Sequence, residues 1–102
     1  VVIGTSSVGS ASVEVRHNAA ARRFEATVDR LLCRCDYRMH GGTMMLVHTE
    51  VPPQLERRGF ASMLVRAAFD YARENGLDVL PVCSYVSAWA RRHPEVEPLL
   101  AR

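Results

Sequence analysis

One stretch constrains the chain more than any other: Val51-Pro52-Pro53-Gln54-Leu55-Glu56-Arg57-Arg58-Gly59-Phe60-Ala61-Ser62-Met63-Leu64-Val65. Two consecutive prolines lack the N–H groups that a sheet ladder needs, so a strand must end near Val51. Gly59 falls where a helix must start. From there Phe60, Met63, Leu64, Ala67, Ala68 and Tyr71 share one stripe at helical spacing, with Ser62, Arg66, Asp70 and Arg73 mainly on the other. Asn75-Gly76 predicts its end. A helix N-terminus carries unpaired N–H groups and a partial positive charge, and a glycine there lets a ligand approach the backbone. With Arg57 and Arg58 alongside, this junction reads either as an anion site suited to phosphate or as a solvated turn, and the local residues leave both open.

The rest of the chain supplies strands for this junction. Val13 and Val15, then Phe24, Ala26 and Val28, alternate on either side of the polar residues 17–23 and predict two strands. Leu31, Cys33, Cys35, Tyr37 and Met39 alternate against Arg34, Asp36 and Arg38. That period places both thiols of the C-x-C on the core side of a strand, which explains the motif by packing rather than by metal or redox chemistry. His40-Gly41-Gly42-Thr43 predicts a hairpin turn, and residues 44–51 a fourth strand, apolar on both faces at its start and so central. After the Gly59 helix, residues 77–86, interrupted by Pro81, read as a fifth strand. A strand, helix, strand order of this length is a parallel crossover, so the fifth strand belongs beside the fourth with the helix on one face. Residues 84–93 read as a last helix, stopped by Pro94. The expected fold is therefore α+β: an antiparallel meander of four strands, a helix, a parallel fifth strand and a last helix.

At 102 residues the chain is one domain, able to bury roughly 60 to 68 per cent of its unfolded surface. The Ser/Gly-rich residues 1–11 are expected to be an extension without fixed structure, leaving 12–102 as the domain. A net charge of +2 is too slight for nucleic-acid binding by bulk electrostatics, and no aromatic residues interleave Arg57, Arg58, Arg91 and Arg92. The chain shows no apolar run long enough for a bilayer and no leader, so no membrane association and a cytoplasmic location are expected. Three cysteines, two of them too close on one extended segment to bridge comfortably, argue for reduced thiols, and four scattered histidines argue against a metal site.

The stretch around Gly59 resembles the acetyl-CoA-binding core of the GCN5-related N-acetyltransferases, whose Q/R-x-x-G-x-G/A loop cradles the CoA pyrophosphate at a helix start. The matching window runs Glu56-Arg57-Arg58-Gly59-Phe60-Ala61, with Glu56 in place of Gln or Arg. "HTEVP" at 48–52, "GFAS" at 59–62, "AAFDYA" at 67–72, "PVCSYV" at 81–86 and "RHPE" at 92–95, with "RFE" at 23–25 and "DYR" at 36–38, are similar to a small single-domain subfamily over residues 13–100.

The resemblance implies fourth and fifth strands that splay apart around the pantetheine arm. It also implies a cofactor contact surface of Val51, Pro52, Arg57, Arg58, Gly59, Phe60, Ala61, Ser62, Val82, Ser84 and Arg92. Arg92, with Arg91 and His93, would meet the CoA 3′-phosphate or merely complement the helix dipole; Trp89 is expected to be core. Acetyl transfer needs a polarised thioester, a deprotonated amine and a protonated leaving thiolate. Cys83 would act as nucleophile, or His48 and Glu50, on one face of the fourth strand, would serve as base for direct attack, with Tyr85 as acid. Direct attack is the expectation, because an unactivated thiol is only a few per cent ionised near neutrality. Transferases of this type carry helices between their first two strands that shape the acceptor site. This chain has only residues 17–23 there, so its acceptor groove is expected to be open. The implied activity is acetyl-CoA-dependent transfer to an amine, a protein lysine or a small molecule, by a monomer or weak dimer without metal; a CoA-binding module lacking transferase activity is the alternative.

Overall fold

The computed structural model of the chain describes residues 2–3 and 13–101. Strands β1 (Val2–Ile3), β2 (Val15–Asn18), β3 (Arg23–Val28), β4 (Leu31–His40) and β5 (Thr43–Glu50) pair antiparallel in chain order. Strand β6 (Asp78–Pro81) joins parallel to β5 and completes one six-stranded sheet. Helix α1 (Phe60–Glu74) makes the crossover from β5 to β6, and α2 (Ser84–Arg91) follows β6. The chain thus adopts the expected α+β layout with one strand more: Val2 and Ile3, in the expected extension, pair with Arg16 and Val15. The remainder of residues 1–11 lies outside the described residues.

The core forms where the alternation put it. Val15, Phe24, Ala26, Cys33, Cys35, Met44 and Leu46 face the helices from the sheet and are buried. The helical stripe is wider than its periodicity indicated, since Val65, Phe69 and Ala72 are buried as well. Both helices lie on one side of the sheet, and Phe69 of α1 stacks on Trp89 of α2 with ring centroids 5.4 Å apart. The other sheet face carries ion pairs, among them Arg23–Glu25 and Arg34–Asp36, each at 2.6 Å. No helix covers it among the described residues; the expected link of residues 17–23 joins the second and third strands, and residues 4–12, between the first two, lie outside the described residues.

Two irregularities shape the end of the sheet near the prolines. Asp36 faces His48 while Tyr37 faces Leu46, so Val47 is an extra residue in β5, a bulge. An inserted residue exchanges the two faces of everything beyond it. Met44 and Leu46 point to the core before the bulge; Thr49, opposite buried Cys35, points there after it. The second irregularity is that β6 stops at Pro81 instead of running to residue 86. Val82 and Cys83 both donate their N–H groups to the Leu46 carbonyl, at 3.1 and 2.9 Å, and Ser84 already begins α2. Past Leu46, β5 continues without β6 beside it, and the two strands part.

His17 sits at the β2 end of the core. It stacks on Phe24 at 4.5 Å, and its Nε2 shares a 2.6 Å hydrogen bond with the Tyr37 hydroxyl. Burial holds its pKa below the ordinary histidine value. The unfolded chain therefore binds a proton that the fold rejects. This contribution to stability is complete above the ordinary pKa and is lost as the pH falls through the folded one. The melting temperature should decline as the pH is lowered from about 7 to about 5, and His17→Phe should flatten that decline. An equally steep decline in folded His17→Phe would contradict this assignment.

Candidate functional site

A cavity of about 380 Å³ opens where β5 ends and α1 begins. Past Glu50 the prolines turn the chain into a 3-10 segment, Pro53–Leu55, anchored by buried Leu55. The following loop reverses direction through two left-handed residues, Arg57 at φ 65° and Gly59 at φ 86°. The conformation is free for glycine but costs an arginine roughly 1 to 2 kcal/mol, and this strain sits in the cavity wall.

Gly59 is the N-cap of α1 and, like its neighbours, supplies no side-chain cap. The first intrahelical bond runs from Met63 N–H to the Gly59 carbonyl at 3.1 Å. The N–H groups of Phe60, Ala61 and Ser62 are thus without helical partners, and these three residues line the cavity with Gly59, Arg57 and Glu56. A Cβ added to Gly59 would meet nothing within 4 Å, so the backbone here is open to a ligand. Ser62 Oγ accepts the indole N–H of Trp89 at 2.8 Å, tying α2 to the start of α1. Trp89 is core, as expected, with that bond in addition. This donor set fits a diphosphate. Glu56 makes no ion pair among the described residues, so its charge stays in the wall.

The opposite wall holds Thr49, Val51, Leu55 and Tyr85. Beside it, at the parting of β5 and β6, half-buried Cys83 occupies the N-cap position of α2 without a side-chain capping bond. Its Sγ lies 3.7 Å from Thr49 Oγ1. Burial opposes ionisation of this thiol, but the nearby backbone of Val86, the Thr49 hydroxyl and the nearby backbone of Tyr85 and Thr49 favour the thiolate, and the pKa falls below the ordinary thiol value. Burial pushes the Tyr85 phenol up, so it keeps its proton at neutral pH.

Of the residues singled out from the sequence, Val51, Arg57, Gly59, Phe60, Ala61, Ser62 and Tyr85 meet at this cavity, and Cys83 adjoins it through Thr49. Pro52 is half-buried in the turn behind. Arg58 lies over the Phe60 ring at 5.1 Å and 4.0 Å from Asp29. Val82, Ser84 and Arg92 are exposed and do not line the cavity, Arg92 standing at the far end of α2. His48 and Glu50 share a strand face, as expected, but the bulge turns it away from the cavity. There Glu50 Oε1 accepts from Arg34 at 3.0 Å and lies 3.1 Å from His48 Nε2. These bonds hold the Glu50 carboxyl below the usual carboxylate range, which makes it a weak base. Thr49 and Leu55 were not anticipated. Thr49 carries no local sign of its orientation, because the bulge that sets it depends on the partner strand.

The fold and the cavity meet at the glycine-headed helix, and residues 23–99 around it match the profile of the GCN5-related N-acetyl-transferase family. The chain belongs to this family. Among curated proteins, this GCN5-related chain is 32% identical to Protein NATD1 of Xenopus tropicalis over 89 residues, covering 83% of this chain and 81% of that protein. It is 29% identical to Protein NATD1 of Gallus gallus and of Homo sapiens over 86 residues, covering 80% of this chain and 77% and 75% of those proteins. Among the described residues of this family member, no cluster of ligating side chains suits a metal ion, and no helix is long and apolar enough to cross a membrane.

Proposed function

We propose that the chain is an acetyl-CoA-dependent N-acetyltransferase in which Cys83 is the nucleophile and Tyr85 the proton donor. The observation that carries this is the juxtaposition of an uncapped, glycine-headed helix start lining one cavity and, adjoining that cavity through Thr49, a half-buried thiol at the first turn of a second helix. The N–H groups of Phe60, Ala61 and Ser62 would bind the diphosphate with Arg57 beside them, and Arg58 and Arg92 offer exposed charge to the 3′-phosphate. The pantetheine arm would lie where β5 and β6 part, against the edge of β5 beyond Leu46, with Val51, Pro52, Val82 and Ser84 beside it.

Cys83 thiolate attacks the thioester carbonyl. The bond to the CoA sulfur breaks, and Tyr85 gives that sulfur its proton. The acceptor amine then attacks the acetyl-cysteine; an amide forms, Cys83 leaves as thiolate, and the Tyr85 phenolate takes the amine proton. Direct attack with Glu50 as base is the less supported route, since that carboxylate faces away and is occupied by Arg34 and His48. The second reading, a CoA-binding module without transfer, draws on the uncovered sheet face, which supplies no walls for an acceptor.

CoA at about 100 times its Kd should stabilise the fold by about 2.7 kcal/mol and raise the melting temperature by roughly 10 to 20 °C. A thermal-shift titration that reaches millimolar CoA without movement would contradict both readings.

A further inference from the structure

Packing accounts for Cys33 but leaves a feature of Cys35 unused. Both thiols are fully buried, yet Cys35 Sγ lies 3.8 Å from Thr49 Oγ1, the same oxygen that lies 3.7 Å from Cys83 Sγ. The bulge at Val47 creates this bridge, because it turns Thr49 inward between β4 and the start of α2. A threonine hydroxyl has one hydrogen and two lone pairs, so it cannot donate to both sulfurs at once. While Cys83 is a thiol, its S–H donates to Thr49, and the Thr49 O–H donates to Cys35. A thiolate at Cys83 has no hydrogen to give and needs a donor. Thr49 can turn its O–H toward Cys83, and the lone pair that then needs a donor is met by the Cys35 S–H.

We infer that Cys35 and Thr49 form a reversible hydrogen-bond relay that steadies the Cys83 thiolate, with Cys35 a positioning residue acting through Thr49. No proton passes along the relay; two bonds reverse direction, and the Cys83 proton leaves to solvent or to a base in the cavity. Cys35 suits this role because burial pushes its pKa up to about 12, so it keeps its hydrogen throughout. The groups facing Cys83 are Cys35 from β4, Thr49 from β5, and the backbone N–H groups of Tyr85 and Val86 with the Tyr85 phenol from α2. The nearby charges act one residue further off, Asp36 on Cys35 and Arg92 on Tyr85.

The inference rests on Cys83 being the reactive thiol, and its test needs no acetyl transfer. Alkylation of Cys83 by iodoacetamide, mapped on the peptide and followed against pH, reads the thiolate population directly. In the full chain, Thr49→Val should slow alkylation at pH 7 about tenfold and Cys35→Ala about threefold, both with the wild-type limiting rate at high pH. Cys35→Ser and Thr49→Ser, which keep a donor, should stay within about twofold of wild type. Adding Cys35→Ala to Thr49→Val should change nothing further. The relay is overturned if Cys35→Ala alkylates at the wild-type rate at pH 7, if Cys35→Ser slows it equally, or if the limiting rates fall as well. Should Cys35→Ala fail to fold, the Thr49→Val and Thr49→Ser pair decides alone, equal rates overturning the relay. Loss of acetyl transfer from the wild type with this pattern intact would sink the proposed function and leave the relay standing.

Discussion

Gly59→Val should lower CoA affinity by roughly 100-fold or more while the protein remains folded. The loss has two sources. A side chain would project into the open space beside the N–H groups of Phe60, Ala61 and Ser62, and the diphosphate would forfeit charge-assisted hydrogen bonds of about 1.5 to 3 kcal/mol each. A β-branched residue at φ 86° is also strained, by about 1 to 3 kcal/mol, so the melting temperature should drop by several degrees. Gly76 provides the control. It too is left-handed, at φ 66°, and an added Cβ there also meets nothing within 4 Å, but it lies past the far end of α1. Gly76→Val should show the same thermal penalty with CoA affinity unchanged. Isothermal titration of both variants separates strain from site, and equal affinities in the two would remove the loop from the ligand.

Elements whose signals are local are legible in the order of the residues themselves. The alternation from Leu31 to Tyr37, the Gly41-Gly42 turn and the α1 stripe depend on neighbours in sequence and appear where their periods placed them, whereas Met39, beside the turn, is exposed rather than on the core side. The loop at residues 57–62 is legible for the same reason, since a glycine after two arginines at a helix start is a local arrangement. What depends on partners is not legible. Val2–Ile3 is a strand only because β2 lies beside it. Phe69 is buried against Trp89 of α2, a partner its own sequence neighbourhood does not announce.

The bulge at Val47 has the largest consequence. Counting by twos from Leu46 puts His48 and Glu50 on the core side. The pairing with Asp36 and Arg34 puts them on the other and delivers Thr49 to the cavity. One residue of register thus exchanges the candidate base for a hydroxyl that binds Cys83.

That exchange sets up the second large effect. Cys83→Ser should reduce kcat/KM for amine acetylation by at least about 100-fold with CoA still bound, whereas Glu50→Gln should change it by less than about threefold. The expectation of direct attack assumed an unactivated thiol. Cys83 instead stands at the α2 start with its Sγ 3.7 Å from the Thr49 hydroxyl, and its pKa lies below the ordinary thiol value. Glu50 faces the solvated side of the sheet, tied to Arg34 and His48, so removing its charge leaves the cavity intact. Steady-state rates for both variants, with thermal shift as the check on CoA binding, distinguish the routes. A large loss in Glu50→Gln with activity retained in Cys83→Ser would restore direct attack.

The most direct measurement is the mass of the wild-type protein after incubation with acetyl-CoA alone, followed by addition of a lysine-containing peptide or a small primary amine. An acetyl group should appear on Cys83 and nowhere on buried Cys33 or Cys35. It should be removed by hydroxylamine, form no more slowly than turnover, and disappear when the amine is added as acetylated amine accumulates. Acetylated amine accumulating at full rate while Cys83 stays unmodified, or a protein that binds CoA yet yields neither adduct nor product, would contradict Cys83 as the nucleophile.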